Sequence, residues 1–191
     1  MKAIKTDIAD VIILEPNLFG DARGYFFESF SQKTFAEIVR PITFVQDNES
    51  YSKYGVVRGL HYQLPPYAQS KLVRCIKGLV LDIAVDIRVG SPTFGRYVAV
   101  ELSENNHRQL FIPRGFAHGF SVLSEDAIFQ YKCDNFYAPQ VERAIAWNDP
   151  VIGIDWRIAI DDIQLSQKDI AHPQLKDVKD LFDYNIDYYA K

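Results

Sequence analysis

The hydrophobic residues of this chain fall in short blocks separated by polar and turn-forming residues, a spacing that suits strands better than helices. Residues 11–14 form an apolar run stopped by Pro16 and Asn17. Asp21, Ala22, Arg23 and Gly24 read as a turn, and residues 25–28 as a second strand. Ser31 is placed to cap a short helix with Phe35, Ile38 and Val39 on its apolar side and Pro41 at its end. Residues 42–45 predict another strand, followed by a polar run over residues 46–50. Beyond Pro65 and Pro66 the pattern becomes densely β. Residues 72–88 read as a hairpin turning at Lys77 and Gly78, and residues 97–102 and 109–112 as a longer one around the loop 103–106. Pro113, Arg114 and Gly115 mark a turn before two more strands, 116–122 and 127–133. About ten short strands with almost no helix predict an all-β sandwich or closed barrel, a jelly roll being one option. There is no βαβ rhythm, repeat, low-complexity segment or linker, so one domain over residues 1–191 is expected. Past residue 161 the chain turns polar, and Leu175, Val178, Leu181 and Phe182 share one face of a predicted C-terminal helix.

One stretch breaks the strand pattern. Residues 55–63 look like a strand but hold Arg58, His61 and two glycines, Gly55 and Gly59. Strict alternation places Arg58 and His61 on opposite faces of a sheet. A bulge at Gly59 would bring both to one side. Two readings fit: an edge strand with a solvated arginine and a hydrogen-bonded histidine, or a bulged strand that aims both side chains into one site.

Composition narrows the classes. The chain has 191 residues, 48% hydrophobic and 24% charged, enough for one sizeable core. Its 13 Phe, 11 Tyr and 2 Trp suit strands and supply stacking surfaces for flat ligands. A net charge of −4 and a pI near 5.6 argue against broad nucleic-acid binding, although a few clustered arginines can still hold a small anion. Cys75 and Cys133 form neither a disulfide framework nor a metal-binding pair. Neither a secretory leader nor an apolar run of membrane-spanning length is visible, so a soluble cytoplasmic protein with no membrane partner is expected.

Four histidines remain as candidates for chemistry. His107 in a polar loop and His172 before Pro173 in the tail are expected to be solvated. His61 and His118 each lie in a predicted strand beside a glycine, with Arg58 and Arg114 nearby. A metal site is not expected, because Gln63 follows His61-Tyr62 where a second histidine ligand would stand. No nucleophile elbow, P-loop or dinucleotide fingerprint is present. What remains is His61 as a base, Tyr131 as an acid, Lys71 as a fixed cation, and Arg23 and Arg58 as anion clamps. Each residue singly also has an ordinary structural reading, and the combination is what favours chemistry.

Several separated motifs carry a resemblance across nearly the whole chain. They are Asp21-Ala22-Arg23-Gly24 with Phe27-Glu28, Gln46-Asp47-Asn48, Arg58-Gly59-Leu60-His61-Tyr62-Gln63, and Lys71. Later come residues 113–120 ending in His118-Gly119-Phe120, then Gln130-Tyr131-Lys132, Tyr137-Ala138-Pro139, and Ser166-Gln167-Lys168-Asp169. In this order they resemble the dTDP-4-dehydrorhamnose 3,5-epimerase family. The resemblance implies a cupin-like jelly roll, a homodimer, no cofactor and a dTDP-sugar substrate. It implies that His61 takes a proton beside the C4 ketone, that Asp169 orients His61, that Lys71 steadies the enolate oxygen, and that Tyr131 returns a proton from the opposite face. It implies that Arg23, Phe27, Glu28, Gln46, Asp47, Asn48, Arg58, His118, Tyr137, Glu142 and Lys168 hold the nucleotide sugar. Phe136 departs from the tyrosine frequent in the family and keeps a stacking face without the hydroxyl. The expected reaction is inversion at C3 and C5, with Tyr131 the feature set against a single-carbon epimerase. The other rivals are a ketoisomerase, a metal-dependent oxygenase of the same fold and a non-catalytic sugar-nucleotide binder.

Overall fold

The structure, a computed structural model, describes residues 1–190. The sequence blocks form β1 (Lys2–Lys5), β2 (Ile12–Glu15), β3 (Phe19–Asp21), β4 (Gly24–Phe26), α1 (Gln32–Ile38), β5 (Gln46–Lys53), β6 (Val57–Gln63), β7 (Lys71–Lys77) and β8 (Leu79–Asp86). They continue as β9 (Arg88–Val89), β10 (Tyr97–Ser103), β11 (Gln109–Ile112), β12 (Phe116–Val122), β13 (Asp126–Cys133), β14 (Glu142–Ala144), α2 (Gln167–Ile170) and β15 (Phe182–Asp183). One sheet runs β1-β2-β11-β7-β13-β5 and the other β10-β8-β12-β6-β14. From β5 to β8 and from β10 to β14 the chain changes sheet at each turn, which gives the antiparallel jelly-roll arrangement of the cupin-like class.

This alternation corrects both predicted hairpins. β7 pairs with β11 and β13, whereas β8 pairs with β10 and β12. β10 and β11 likewise lie in different sheets. Gly78 and the loop after β10 turn corners between sheets. Gly78 has φ +82°, and a Cβ there would stand 2.2 Å from the Asp126 carbonyl oxygen. Turn chemistry is the same whether the two flanking strands pair with each other or part, so the local signal cannot tell a hairpin from a corner.

Three apolar layers result. Val73, Cys75, Val80, Ala84, Phe116, Phe120 and Phe129 belong to the cluster filling the space between the sheets. Leu14, Phe35, Leu72 and Phe111 bury the outer face of the first sheet beneath α1. Leu60, Leu81, Ile83 and Val85 lie on the outer face of the second sheet, beneath Trp156, Leu175 and Phe182. β8 is therefore covered on both sides, which explains its aliphatic run, interrupted only by Asp82 before the strand ends at Asp86.

α1 forms as expected, with the Ser31 hydroxyl accepting from the Thr34 amide. Residues 42–45 do not form a strand: Ile42 and Phe44 pack beneath α1 instead. The polar run after them is β5, an edge strand with alternating exposure, so its polar side chains point alternately outward and into the barrel. The predicted C-terminal helix over residues 175–182 is absent. A 3-10 turn at Leu175–Asp177 leads into extended chain and then β15, which pairs parallel with β9. The Asp149 carboxylate accepts from the Leu175 amide (2.6 Å), and the Tyr62 hydroxyl donates to the Asp180 carbonyl (2.9 Å). Those bonds replace some that a helix would supply internally, while Leu175, Val178, Leu181 and Phe182 all still pack on the sheet. No helix among the described residues is long and apolar enough to cross a membrane.

Candidate active site

The site begins at the irregularity in β6. His61 lies opposite His118 and Arg58 opposite Phe120, so three steps on β6 face two on β12. The extra residue reverses the alternation, and Arg58 and His61 line one cavity, as the bulge at Gly59 predicted. Gly59 has φ +132°, and a Cβ on it would stand 2.6 Å from the Gly119 Cα. A Cβ on Gly119 would stand 2.6 Å from the Arg58 carbonyl oxygen, so the two strands approach closely where neither carries a side chain.

The polar end of the barrel interior holds two adjoining cavities of about 290 Å³ each, sharing His61, Lys71 and Tyr131. Gln46, Asn48, Tyr137 and Glu142 line one; Arg58, His118, Lys168 and Asp169 line the other. Lys71 of β7 and Tyr131 of β13 project from the first sheet, and His61 projects from the second. The Lys71 ammonium lies 5.8 Å from the Tyr131 ring centroid. α2 closes the wall next to His61. Ser166 caps it, receiving the Asp169 amide (3.1 Å) and donating its hydroxyl to Asp169 Oδ2 (2.6 Å). That leaves Asp169 Oδ1 aimed at His61 Nε2, 2.7 Å away. A histidine held by a carboxylate at Nε2 presents its Nδ1 lone pair as a base.

The electrostatics follow from burial and pairing. Burial pushes the Asp169 carboxyl up, but bonds from His61 and Ser166 outweigh it and hold it at about 2. Burial pushes the Tyr131 phenol up, so it keeps its proton at neutral pH. Burial pushes the Lys71 ammonium down, opposed by Cys133, Asp82 and Glu142. Burial also pushes Glu142 up, but Lys168, its ion-pair partner, brings it below the ordinary value. Tyr137 donates to the same Glu142 oxygen (3.1 Å). The Arg58 guanidinium donates to Ser52 Oγ (3.2 and 3.1 Å), which steadies it while leaving its remaining donors to a ligand.

Four residues named from sequence stand elsewhere. Asp47 faces outward on β5 and pairs with Lys132 (2.9 Å). Arg23 sits on the exposed turn between β3 and β4, paired with Asp21 (2.6 Å). Glu28 is exposed just beyond that hairpin. Phe27 stacks beside Tyr25 and His107 on the outside of the first sheet.

Two residues beside the site were not expected there: Asp82 drew no attention in the sequence, and His172 was expected to be solvated. Asp82 is fully buried and meets His118 Nε2 at 3.0 Å. Burial pushes Asp82 up and His118 down, so the pair resists carrying separated charges. His172 is not a solvated tail residue. Its Nε2 is buried without a hydrogen-bond partner, 3.6 Å from Asp169 Oδ1, and its ring stands edge-on to His61 with centroids 5.6 Å apart. Burial lowers its pKa, so it is neutral at pH 7. The Asp-x-x-His spacing, running from α2 into the turn after it, was the available signal. Among the described residues, His61, Asp169 and His172 are the group able to hold a cation, with donor atoms within 4.8 Å of one another.

Comparison with known proteins decides the family. The model of dTDP-4-dehydrorhamnose 3,5-epimerase matches residues 5–177. The chain belongs to the dTDP-4-dehydrorhamnose 3,5-epimerase family. The family member from Shigella flexneri is 60% identical over 171 residues, covering 89% of this chain and 93% of its own. The dTDP-6-deoxy-D-glucose-3,5-epimerase of Legionella pneumophila, solved with dTDP-4-keto-L-rhamnose, has 48% identity and a TM-score of 0.93, covering 97% of this chain and 99% of its own. ChmJ, a 3'-monoepimerase from Streptomyces bikiniensis solved with dTDP-quinovose, has 33% identity and a TM-score of 0.81, covering 90% of this chain and 87% of its own.

Proposed function

We propose that this chain epimerises dTDP-4-dehydro-6-deoxy-D-glucose at C3 and C5 to dTDP-4-dehydro-L-rhamnose, as in dTDP-L-rhamnose biosynthesis, with the whole chain acting as one catalytic unit. The observation that carries the reading is the placing of a carboxylate-held histidine and a protonated tyrosine on opposite sheets of one cavity, with Lys71 beside the tyrosine. Inversion requires removing a proton from one face of a carbon and returning one to the other. His61 Nδ1 takes the proton from the carbon beside the C4 ketone, and Asp169 supports the imidazolium that forms. The electron pair moves into the ketone oxygen, where the Lys71 ammonium meets the enolate charge. A preorganised donor of this kind is worth about 10²–10³ in rate. Tyr131 then delivers its phenolic proton from the opposite side. Arg58 and Lys168 take the diphosphate, and Gln46, Asn48, His118, Tyr137 and Glu142 hold the rest of the nucleotide sugar. Remote binding of this kind positions the sugar for proton transfer.

The dimer belongs to the same reading. Arg23, Phe27 and Glu28 lie away from this chain's cavity on and after a hairpin whose Phe19, Tyr25 and Phe26 are 66%, 61% and 70% exposed. Such an aromatic projection suits insertion into a second copy, where Arg23 would complete the partner's anion site. Asp47 has its own ion pair and no place in the cavity, and we assign it no substrate contact.

A single-carbon epimerase is the second reading, favoured by the likeness to ChmJ. ChmJ was also solved as a double mutant in which one histidine and one tyrosine are replaced. Incubation with substrate in deuterated water separates the readings. Deuterium at C3 and C5 is expected, deuterium at C3 alone establishes the single epimerase, and none at either carbon overturns both.

A further inference from the structure

We propose that His61, Asp169 and His172 form an inhibitory divalent-cation site that takes Zn²⁺ through His61 Nε2, Asp169 Oδ1 and His172 Nε2. Two nitrogens and one carboxylate oxygen are a donor set that suits zinc, with a fourth position left to water. Two of the three ligands are close in sequence: Asp169 on α2, and His172 three residues later, just past the helix's C-cap Ala171. An acidic residue and a histidine at this spacing recur in metal-binding helices, and here the turn that follows α2 still brings the two donors to 3.6 Å. The third comes from β6 across the cavity wall.

The existing geometry is close to what zinc needs. Bonds of about 2.0–2.1 Å in a tetrahedral site place donor atoms roughly 3.3 Å apart. Here His172 Nε2 is 3.6 Å and His61 Nε2 2.7 Å from Asp169 Oδ1, and all three donors lie within 4.8 Å of one another. Small rotations of the two rings complete the approach. The orphaned His172 nitrogen is the second sign of a site. It is buried, meets no donor or acceptor, and faces the oxygen that His61 already uses. An imidazole nitrogen in that position is satisfied by a cation placed between it and the carboxylate. Ser166 holds the other carboxylate oxygen at 2.6 Å and so fixes the direction of the first, as an outer partner does in metal sites. The His61 side chain is 28% exposed to the cavity, which gives the ion a route in.

Inhibition follows from proton placement. With Asp169 as its partner, neutral His61 carries its proton on Nε2 and keeps the Nδ1 lone pair. Zinc bound at Nε2 moves that proton to Nδ1. No proton is gained or lost by the ring, but the lone pair that would take a substrate proton is gone, and Asp169 no longer supports the imidazolium. This consequence rests on the epimerase reading; the binding of the ion does not.

The test therefore reads binding and rate separately. Chelator-treated protein is titrated calorimetrically with Zn²⁺, and separately with Co²⁺, whose visible absorption reports tetrahedral nitrogen–oxygen coordination. One equivalent and the tetrahedral Co²⁺ spectrum are expected for the natural chain. His172→Ala is expected to lose at least tenfold in zinc affinity, with His172→Gln used if the alanine variant melts early. Deuterium exchange into substrate is then followed at rising Zn²⁺. Each protein is compared with its own zinc-free rate, and EDTA reverses the effect. Inhibition is expected to shift to at least tenfold higher zinc in the His172 variant. Less than one equivalent bound, equal affinity in both proteins, or inhibition unchanged by the substitution overturns the site. Binding as expected with no exchange in any sample, zinc-free or not, leaves the ion site standing and sinks the epimerase reading instead.

Discussion

Asp169 acts on His61 and on the acid stability of the fold through the same hydrogen bonds. Its carboxyl sits at about 2, against an ordinary 3.8, because His61 and Ser166 outweigh its burial. The folded protein therefore binds this proton less readily than the unfolded chain. The stabilisation is complete above pH ~4 and is lost as the pH falls toward 2, and the gap corresponds to about 2 kcal/mol. In Asp169→Asn, urea midpoints between pH 4 and 2 are expected to fall less steeply than in the natural chain; parallel slopes would refute the assignment. The same substitution removes the support for the His61 imidazolium, and the exchange rate is expected to drop by about 10²–10⁴. Tyr131→Phe tests the other side of the sugar. Exchange at one carbon should persist while inversion is impaired, and unchanged product formation would remove Tyr131 from the role of acid. At this scale the residue types were informative: a strand histidine beside glycine, a lysine at the start of a strand and a strand tyrosine were picked out without geometry. The pairing of His61 with Asp169 came only from family resemblance, because 108 positions separate them and no local rule joins them. His172 and Asp82 escaped for the opposite reason. A tail histidine and an aspartate in an aliphatic strand look ordinary until the fold buries them.

Among the elements, β6 shows how local sequence can encode a functional distortion. The spacing of Arg58 and His61 conflicts with regular strand geometry, and Gly59 was a visible resolution of the conflict. The structure adds the cause that sequence lacks, which is Gly119 on the facing strand. Gly59→Ala would place a methyl 2.6 Å from the Gly119 Cα at a φ of +132°. A strained backbone of this kind costs about 1–3 kcal/mol, before the clash is counted. A fall of at least ~2 kcal/mol in unfolding free energy is expected by denaturant titration. A variant as stable as the natural chain would mean that the bulge does not need a glycine. The hairpins and the C-terminal helix were misread at this same scale. Turn residues reported where the chain bends, not which strand lies beside it afterwards. Leu175, Val178, Leu181 and Phe182 had a helical spacing, yet the sheet beneath accepts them from an extended chain. Tyr62 and Asp149, far away in sequence, supply hydrogen bonds that allow this.

At the level of the whole molecule, the exposed aromatic β3–β4 hairpin is the surface offered to a second copy. Burying three aromatic side chains on a partner would contribute roughly 1.5–3 kcal/mol for each one fully covered, a strong pull toward association. If Arg23 serves the partner's cavity, a site needs His61 from one copy and Arg23 from the other. His61→Ala abolishes catalysis in any cavity that bears it, and Arg23→Ala weakens substrate binding in the cavity it reaches. In a mixed dimer of the two variants, one cavity carries both lesions and the other carries neither. Each variant alone should therefore be inactive or weakly active at low substrate. Refolding them together should restore activity to about a quarter of the natural level, because half of randomly paired two-fold dimers are mixed and each has one intact site. Light scattering on the same samples should give twice the chain mass. A monomer, or a dimer in which mixing restores nothing, would place Arg23 outside the partner's site and leave Arg58 and Lys168 to hold the diphosphate alone.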